Sequence, residues 1–419
     1  MPAVRLNGAA NGALPGPTGT YHRPTMPTRA TKRGQERTTL ARDCDVLICG
    51  ASFAGLAVAR ELAATGAEVM VIDRYEIGER QTSACGIPTG WLHALGLEEA
   101  LQQTFSELVI HTPHASVRYP LPWTFSTFDY RTLCWLLAAQ GRFEFETAKV
   151  EARSASAAGS ASAERGHAGG VHTVITDRGE LRAPLVVDAL GWRRVLGPGA
   201  NVQPPDALLS RGLEVHPSGS GQDMEIWIDR SYVPAGYGWS FPADRELRIG
   251  VGSFDPRFHV REPTVRLAED VGAETVRYQG NWIPHALRPA AEDGVFFVGD
   301  SAGHCLPLTA EGIRTALYFG IACGRELRAV LEGRQPRERA LARYHAFSAA
   351  HGRAFAWMLR VQRLIPRVPP RVLGVSLRAM GNRRFLDWSF GHYLEIAHPR
   401  FAAQGVAAPA RVRAALSRA

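Results

Sequence analysis

Lysine is nearly missing from this 419-residue chain: Lys32 and Lys149 are the only two. Any chemistry that needs a lysine inside a folded cavity therefore has one candidate at most. Apolar runs are short, and none reaches the roughly 18 residues that a membrane-spanning helix requires. The N-terminus lacks the apolar core of a secretory signal, so the expected location is the cytoplasm. Six cysteines occur without a C-x-x-C pair, which argues against a zinc site and a disulfide framework alike. They read as small core residues, and no metal site is expected. No second nucleotide fingerprint and no internal repeat are visible.

What the chain has in plenty is arginine, and it is unevenly placed. The net charge is +8. Residues 1–42 carry seven basic side chains against Glu36, and residues 351–419 carry twelve arginines against Asp387 and Glu395. The body between the ends is thus acidic, and the positive charge does not call for nucleic acid. Residues 1–42, rich in Gly, Pro, Thr and Arg, read as a disordered basic tail. The arginines of the C-terminal stretch are mixed with Trp, Phe, Leu and Met. That composition suits a peripheral contact with an anionic membrane, or a helical cap whose apolar face covers a cavity.

Order is expected to begin at CDVLIC (44–49), a buried parallel strand. A helix with Gly66 as its stop and a second buried strand, EVMVID (68–73), complete a β-α-β unit. Between them lies GASFAG, a G-x-G-x-x-G fingerprint with Ser52 at the middle glycine. Asp73 follows 23 residues beyond Gly50. In such a turn, backbone N–H groups around Gly50, Ser52, Phe53, Ala54 and Gly55 face a pyrophosphate at the positive end of a helix dipole. Asp73, with Arg74 beside it, is placed for the adenosine ribose. A second strand-and-turn, VFFVGDSAGHCLPLTAEGI (295–313), offers the Asp300 carboxylate for a ribityl chain. After a loop containing Pro307, Gly312 and Ile313 open a helix whose N–H groups would stabilise a reduced flavin ring. The same letters contain G-x-S-x-G at 299–303, the nucleophile elbow of α/β-hydrolases, for which His345, His351 or His392 would have to act as base. Pro307 interrupts the helix that such an elbow needs.

Residues 211–253 alternate with period two and predict antiparallel strands. One of them, PAGYGWSFP (234–242), has aromatics on one face and Gly236, Gly238 and Ser240 on the other. The segment 153–170 is of low complexity and reads as a surface loop. Residues 74–130 give no single pattern, and 131–140 look helical.

Together these motifs resemble the geranylgeranyl reductase family, FAD-dependent oxidoreductases with a p-hydroxybenzoate hydroxylase-like fold, over roughly residues 44–330. The family's P-x-x-Y-x-W-x-F-P pattern is filled by Pro234, Tyr237, Trp239, Phe241 and Pro242. Its cysteine-glycine motif is similar to Cys85-Gly86, with Ile87 where a second glycine is common. Asp188 and Gly191 fall on a strand-turn that approaches FAD in relatives, and Arg131 on an arginine near the flavin's dimethyl edge.

The resemblance implies an α/β fold. A Rossmann-like FAD-binding domain (43–199 and 288–335) would carry an inserted antiparallel-sheet substrate domain (200–287, with parts of 100–130). A basic helical C-terminal region (336–419) would follow. It implies FAD, with NAD(P)H or an electron-donor protein as transient reductant. It also implies a dry cavity walled by Tyr237, Trp239 and Phe241, with His304 nearby, for a small apolar substrate. The expected reaction is reduction of a C=C bond, with Tyr237 and Cys85 as candidate proton donors. Monooxygenation, usual for the wider fold, is the alternative. An FAD electron-transfer protein ranks lower. So does a halogenase, since that chemistry needs a cavity lysine and a W-x-W-x-I-P signature.

Overall fold

The structure, a computed structural model, describes residues 38–81, 83–155, 170–198 and 207–403. Most of the basic N-terminal tail, most of the low-complexity segment and the last sixteen residues therefore lie outside the described residues.

Three sheets organise the chain. The first has six strands in the order 291–292, 295–297, 185–188, 46–49, 69–73 and 144–147. All neighbours in it are parallel except the short hairpin at the 291–292 edge. Its central strands are buried and apolar up to the aspartates that end two of them, as in a sheet covered on both faces. Helix Phe53–Leu62 and helix Ile313–Leu331 lie side by side over it. Their close approach depends on two glycines. A Cβ at Gly320 would stand 2.7 Å from the Ala54 carbonyl oxygen, and one at Gly324 2.6 Å from Glu61 Cβ. A four-stranded sheet (42–43, 179–183, 172–176, 150–155) flanks this unit.

The third sheet has eight strands in the order 279–284, 209–215, 246–253, 236–243, 224–227, 101–112, 115–128 and 86–88. It is antiparallel except where Met224–Trp227 runs parallel to Leu101–Thr112. Two of its longest strands, 101–112 and 115–128, come from the region without a clear sequence pattern. Pro120 and Pro122 hide the period there. They are tolerated because residues 121–124 loop out of register, opposite Ser106 alone.

The C-terminal helices Gly352–Leu364, Pro370–Met380 and Arg383–Glu395 finish the molecule. The last two pack their inner faces on the outer strands of this sheet. Leu377 and Leu386 cluster with Tyr119 there, and Ile110, Val117, Leu373 and Phe390 pack against that cluster. Tyr119 also donates its hydroxyl to the Leu377 carbonyl, 2.5 Å away.

Candidate active site between two glycine turns and an aromatic wall

The first glycine turn is built by steric necessity. Gly50 has φ +117, and a Cβ on it would lie 2.3 Å from the Ala189 carbonyl oxygen. A Cβ on Gly55 would lie 1.9 Å from the Gly50 carbonyl oxygen. Only glycine fits either place. Ser52 stands at the N-cap of helix Phe53–Leu62 but makes no side-chain cap; its Oγ is 3.2 Å from the Tyr130 hydroxyl instead. The helix N-terminus is thus left to receive an anion. Asp73 accepts from the Ala51 N–H at 2.9 Å and the Tyr75 N–H at 3.0 Å. Burial pushes its carboxyl up, and those two N–H groups oppose the rise. Phe53 packs edge-on against Phe128 and Tyr130, and Ala54 is buried beneath the turn.

The second turn closes on the first. Gly299 has φ +61, and a Cβ on it would meet Ala54 Cβ at 3.0 Å. Ser301 donates to Asp188 Oδ1 at 2.6 Å, and Asp188 also accepts the Leu190 and Leu196 N–H groups. This hydroxyl is spoken for and has no histidine partner among the described residues, which argues against the hydrolase elbow. His345 is exposed on the far helix Arg337–Ala349.

Asp300 differs from both other strand-end aspartates. Its carboxylate is hydrogen-bonded to nothing among the described residues, and burial raises it to about 6, with Arg288 opposing. A side chain at Gly312 would stand 3.8 Å from Asp300 Oδ1. The unclaimed carboxylate therefore sits beside the start of helix Ile313–Leu331, which has no side-chain cap. A half-buried carboxylate with no donor among the described residues, two uncapped helix starts and a cradle that any Cβ would fill together fit FAD. Pro307 is buried, with its carbonyl accepting from Gln362. Arg74 and Arg131 are exposed and lie over the rings of Tyr75 and Trp135.

The strand Gly236–Ala243 forms the opposite wall. Tyr237, Trp239 and Phe241 are half-buried on one face, and the glycines and Ser240 are buried on the other. Tyr237 donates its hydroxyl to the Thr309 carbonyl in the second turn's loop. Phe241 reaches the cysteine-glycine turn, 3.9 Å from where a Cβ on Gly86 would be. The wall therefore spans from Thr309 to Cys85-Gly86. Leu108, Met224 and Phe390 extend its apolar surface. The bare face lies under helix Arg261–Asp270, with Leu267 Cδ2 2.6 Å from a Cβ built on Gly238, and a Cβ on Gly236 would stand 1.9 Å from the Gly252 carbonyl oxygen.

One sequence expectation needs correction. His304 is fully buried away from the aromatic wall, stacked on Phe319 at 3.7 Å and 2.9 Å from Ser348 Oγ. Its imidazole is therefore part of the helical packing. Lys149 pairs with Glu151 in the exposed connection between strands 144–147 and 150–155, so among the described residues no lysine faces the aromatic wall for halogen chemistry. Cys85 is fully buried at φ +54, with Sγ 3.2 Å from the Ser83 carbonyl, and burial pushes its thiol well up. Burial likewise raises Tyr237, so both hold their protons through the neutral range.

Sequence reading missed the floor under Trp239. A Cβ on Gly250 would stand 2.3 Å from the indole, and ones on Gly252 and Gly212 at 3.4 and 3.6 Å. The available signal was G-x-G at 250–252, one strand after the aromatics. Missed too was Glu214, whose Oε2 accepts from Trp239 Nε1 at 3.2 Å.

Comparison with known proteins agrees with this geometry. The profile of the FAD dependent oxidoreductase family matches residues 45–119. Digeranylgeranylglycerophospholipid reductase 3 of Methanosphaera stadtmanae is 24% identical over 364 residues, 81% of this chain and 91% of that one. A geranylgeranyl bacteriochlorophyll reductase-like protein of Thermoplasma acidophilum superposes with a TM-score of 0.72 at 16% identity, covering 86% of this chain and 98% of the other. The flavin-dependent brominase Bmp2 shares the fold with a TM-score of 0.63 at 17% identity, over 90% of this chain and 98% of its own. With two glycine turns closing on one another, an unclaimed carboxylate beside the second and the full aromatic strand motif, the chain is an FAD-dependent oxidoreductase similar to geranylgeranyl reductases.

Proposed function

We propose that this enzyme reduces C=C bonds of an isoprenoid chain, of the kind named in digeranylgeranylglycerophospholipid reductase. The observation that carries the reading is the aromatic strand, which runs from the loop at Thr309 to the Cys85-Gly86 turn. Bound reduced flavin supplies the hydride. The protein's part is to exclude water and place a flat apolar chain. Tyr237, Trp239 and Phe241 offer three ring surfaces in one row for that purpose. The second carbon needs a proton. Cys85 is fully buried and turned to Ser83, whereas Tyr237 keeps a partly open ring on the cavity face, so we assign Tyr237 as donor. Its hydroxyl is oriented by Thr309 O.

The test is anaerobic turnover of the flavin-loaded protein with NADPH, then NADH, on digeranylgeranylglycerophospholipid. Products should gain two hydrogens per reduced bond, and Tyr237→Phe should lower turnover about 100-fold. Products that gain oxygen in air would overturn the reading.

Among the described residues, no helix is long and apolar enough to cross a membrane. A peripheral contact fits the outer face of the C-terminal helices. Trp357 and Trp388 are each 59% exposed there, and Val375 65%. Eight arginines and no acid occupy residues 353–384. Aromatic and cationic side chains on one surface suit anionic lipid headgroups, and that is where a lipid substrate would be met. Holoenzyme should pellet with anionic vesicles at low salt and stay in solution at high salt. No salt-sensitive pelleting would remove this part.

A further inference from the structure

Glu214, His216 and Glu246 form a chain of charges behind the aromatic wall that FAD binding does not explain. Trp239, Gly250 and Glu214 occupy one cross-strand row. The indole crosses Gly250 and reaches Glu214 Oε2. Glu214 Oε1 lies 2.9 Å from His216 Nε2, and His216 Nδ1 lies 3.1 Å from Glu246 Oε1. Glu214 is 3% exposed and His216 2%.

Both ring nitrogens of His216 thus face carboxylates, and only an imidazolium donates to both. Other groups around it agree. Arg248 Nε holds the same Glu246 oxygen at 3.2 Å, and Arg277, on the rim, holds Oε2 at 3.0 Å. The Gln279 amide stands 3.5 Å from Nδ1, too far to compete. Burial pulls the His216 ring down, but its hydrogen bonds to Glu214 and Glu246 outweigh it and hold the imidazolium to higher pH than an ordinary histidine.

We propose that Glu214 is the positioning residue that fixes the indole of Trp239 in the substrate wall, and that His216, clamped between Glu214 and Glu246, makes this hold dependent on pH. Below the His216 transition, Glu214 is pinned from behind and the indole lies flat on its glycine floor. Above it, one hydrogen bond of the ring is lost, and Glu214 and Glu246 face each other across a neutral imidazole. Trp239 is then freed to turn. The kinetic consequence rests on reading the aromatic face as substrate wall; the restraint itself does not.

The indole N–H is a direct probe. In flavin-loaded protein labelled with 15N-tryptophan, the Trp239 resonance is identified by its loss in Trp239→Phe. We expect it to shift with pH, with a midpoint above the ordinary histidine value of about 6.5, and to stop titrating in His216→Asn. Glu214→Gln keeps an acceptor for the indole, so the resonance should persist but lose its pH dependence. Retained flavin colour reports folding of each variant. A resonance that ignores pH, or titrates unchanged in His216→Asn, overturns the proposal. In turnover, Glu214→Ala should raise KM for the lipid about tenfold, with kcat within about twofold, and Glu214→Gln should recover most of it. If the resonance behaves as expected while no lipid is reduced, the substrate assignment fails and the restraint stands.

Discussion

The six-stranded and eight-stranded sheets use the same residue types in opposite ways. In the six-stranded sheet, carboxylates and glycines stand where strands end, and their partners are mostly backbone, with the Ser301 hydroxyl on Asp188 as the exception. Asp73 and Asp188 take N–H groups, and Gly50 and Gly55 let main chains touch. In the eight-stranded sheet they belong to the strands themselves, and their partners are side chains. Glu214 takes an indole and an imidazole, and Gly250 takes the flat of that indole. A cofactor site made of backbone has to repeat its spacing. A substrate site made of side chains does not, so the two leave different traces in a sequence.

This contrast breaks or sharpens at definite positions. The largest effect is expected at Gly55, where alanine has no room beside the Gly50 carbonyl. Gly55→Ala should cost roughly 3 kcal/mol or more in thermal denaturation and yield colourless protein. A yellow, equally stable variant would show that the backbone approach is dispensable.

The strand-end aspartates should move in opposite directions. Asp73→Ala strands two buried N–H groups and should destabilise by about 2 kcal/mol. Asp300 has no protein donor. Its folded value of about 6 lies above the unfolded 3.8, so the flavin-free fold binds more protons between those values. Stability of that form should fall as pH rises through this window, and level off above it, by up to about 3 kcal/mol. Asp300→Asn should remove the fall, stabilising flavin-free protein at pH 7 but not at pH 4, while weakening FAD about tenfold. Titration calorimetry and melts at both pH values check the sign. Loss of stability at pH 7 would place Asp300 with Asp73.

In the other sheet, Gly250→Ala should displace the indole and cost about 2 kcal/mol, with a change in near-ultraviolet dichroism and unaltered flavin content. The smallest effect is expected at Ser52. Ser52→Ala loses one half-buried hydroxyl contact to Tyr130, about 0.5 kcal/mol in a melt, and should leave FAD bound.

Legibility followed the same division. Both glycine turns and Asp73 could be read directly, since pattern and spacing are set by backbone geometry. The aromatic strand was legible because alternation assigns its faces without knowledge of neighbours. The strands at 101–128 were obscured by prolines that only an out-of-register loop makes tolerable. His304 was misread because nearness in sequence to Asp300 says nothing of the direction a side chain takes after Gly303 turns the chain at φ +68. Glu214 and His216 had no signal at all: their role exists only when three strands lie side by side.

The parallel pairing of Met224–Trp227 with Leu101–Thr112 has a practical corollary for enzyme engineering. The sheet bearing the aromatic row is sewn from two stretches of chain, with the strand Leu185–Asp188 falling between them in sequence, and its outer strands are roofed by a third, 370–395. A chimera that borrows residues 207–287 alone from a homologue would inherit a seam of mismatched pleats, so specificity has to be transplanted as three segments at once.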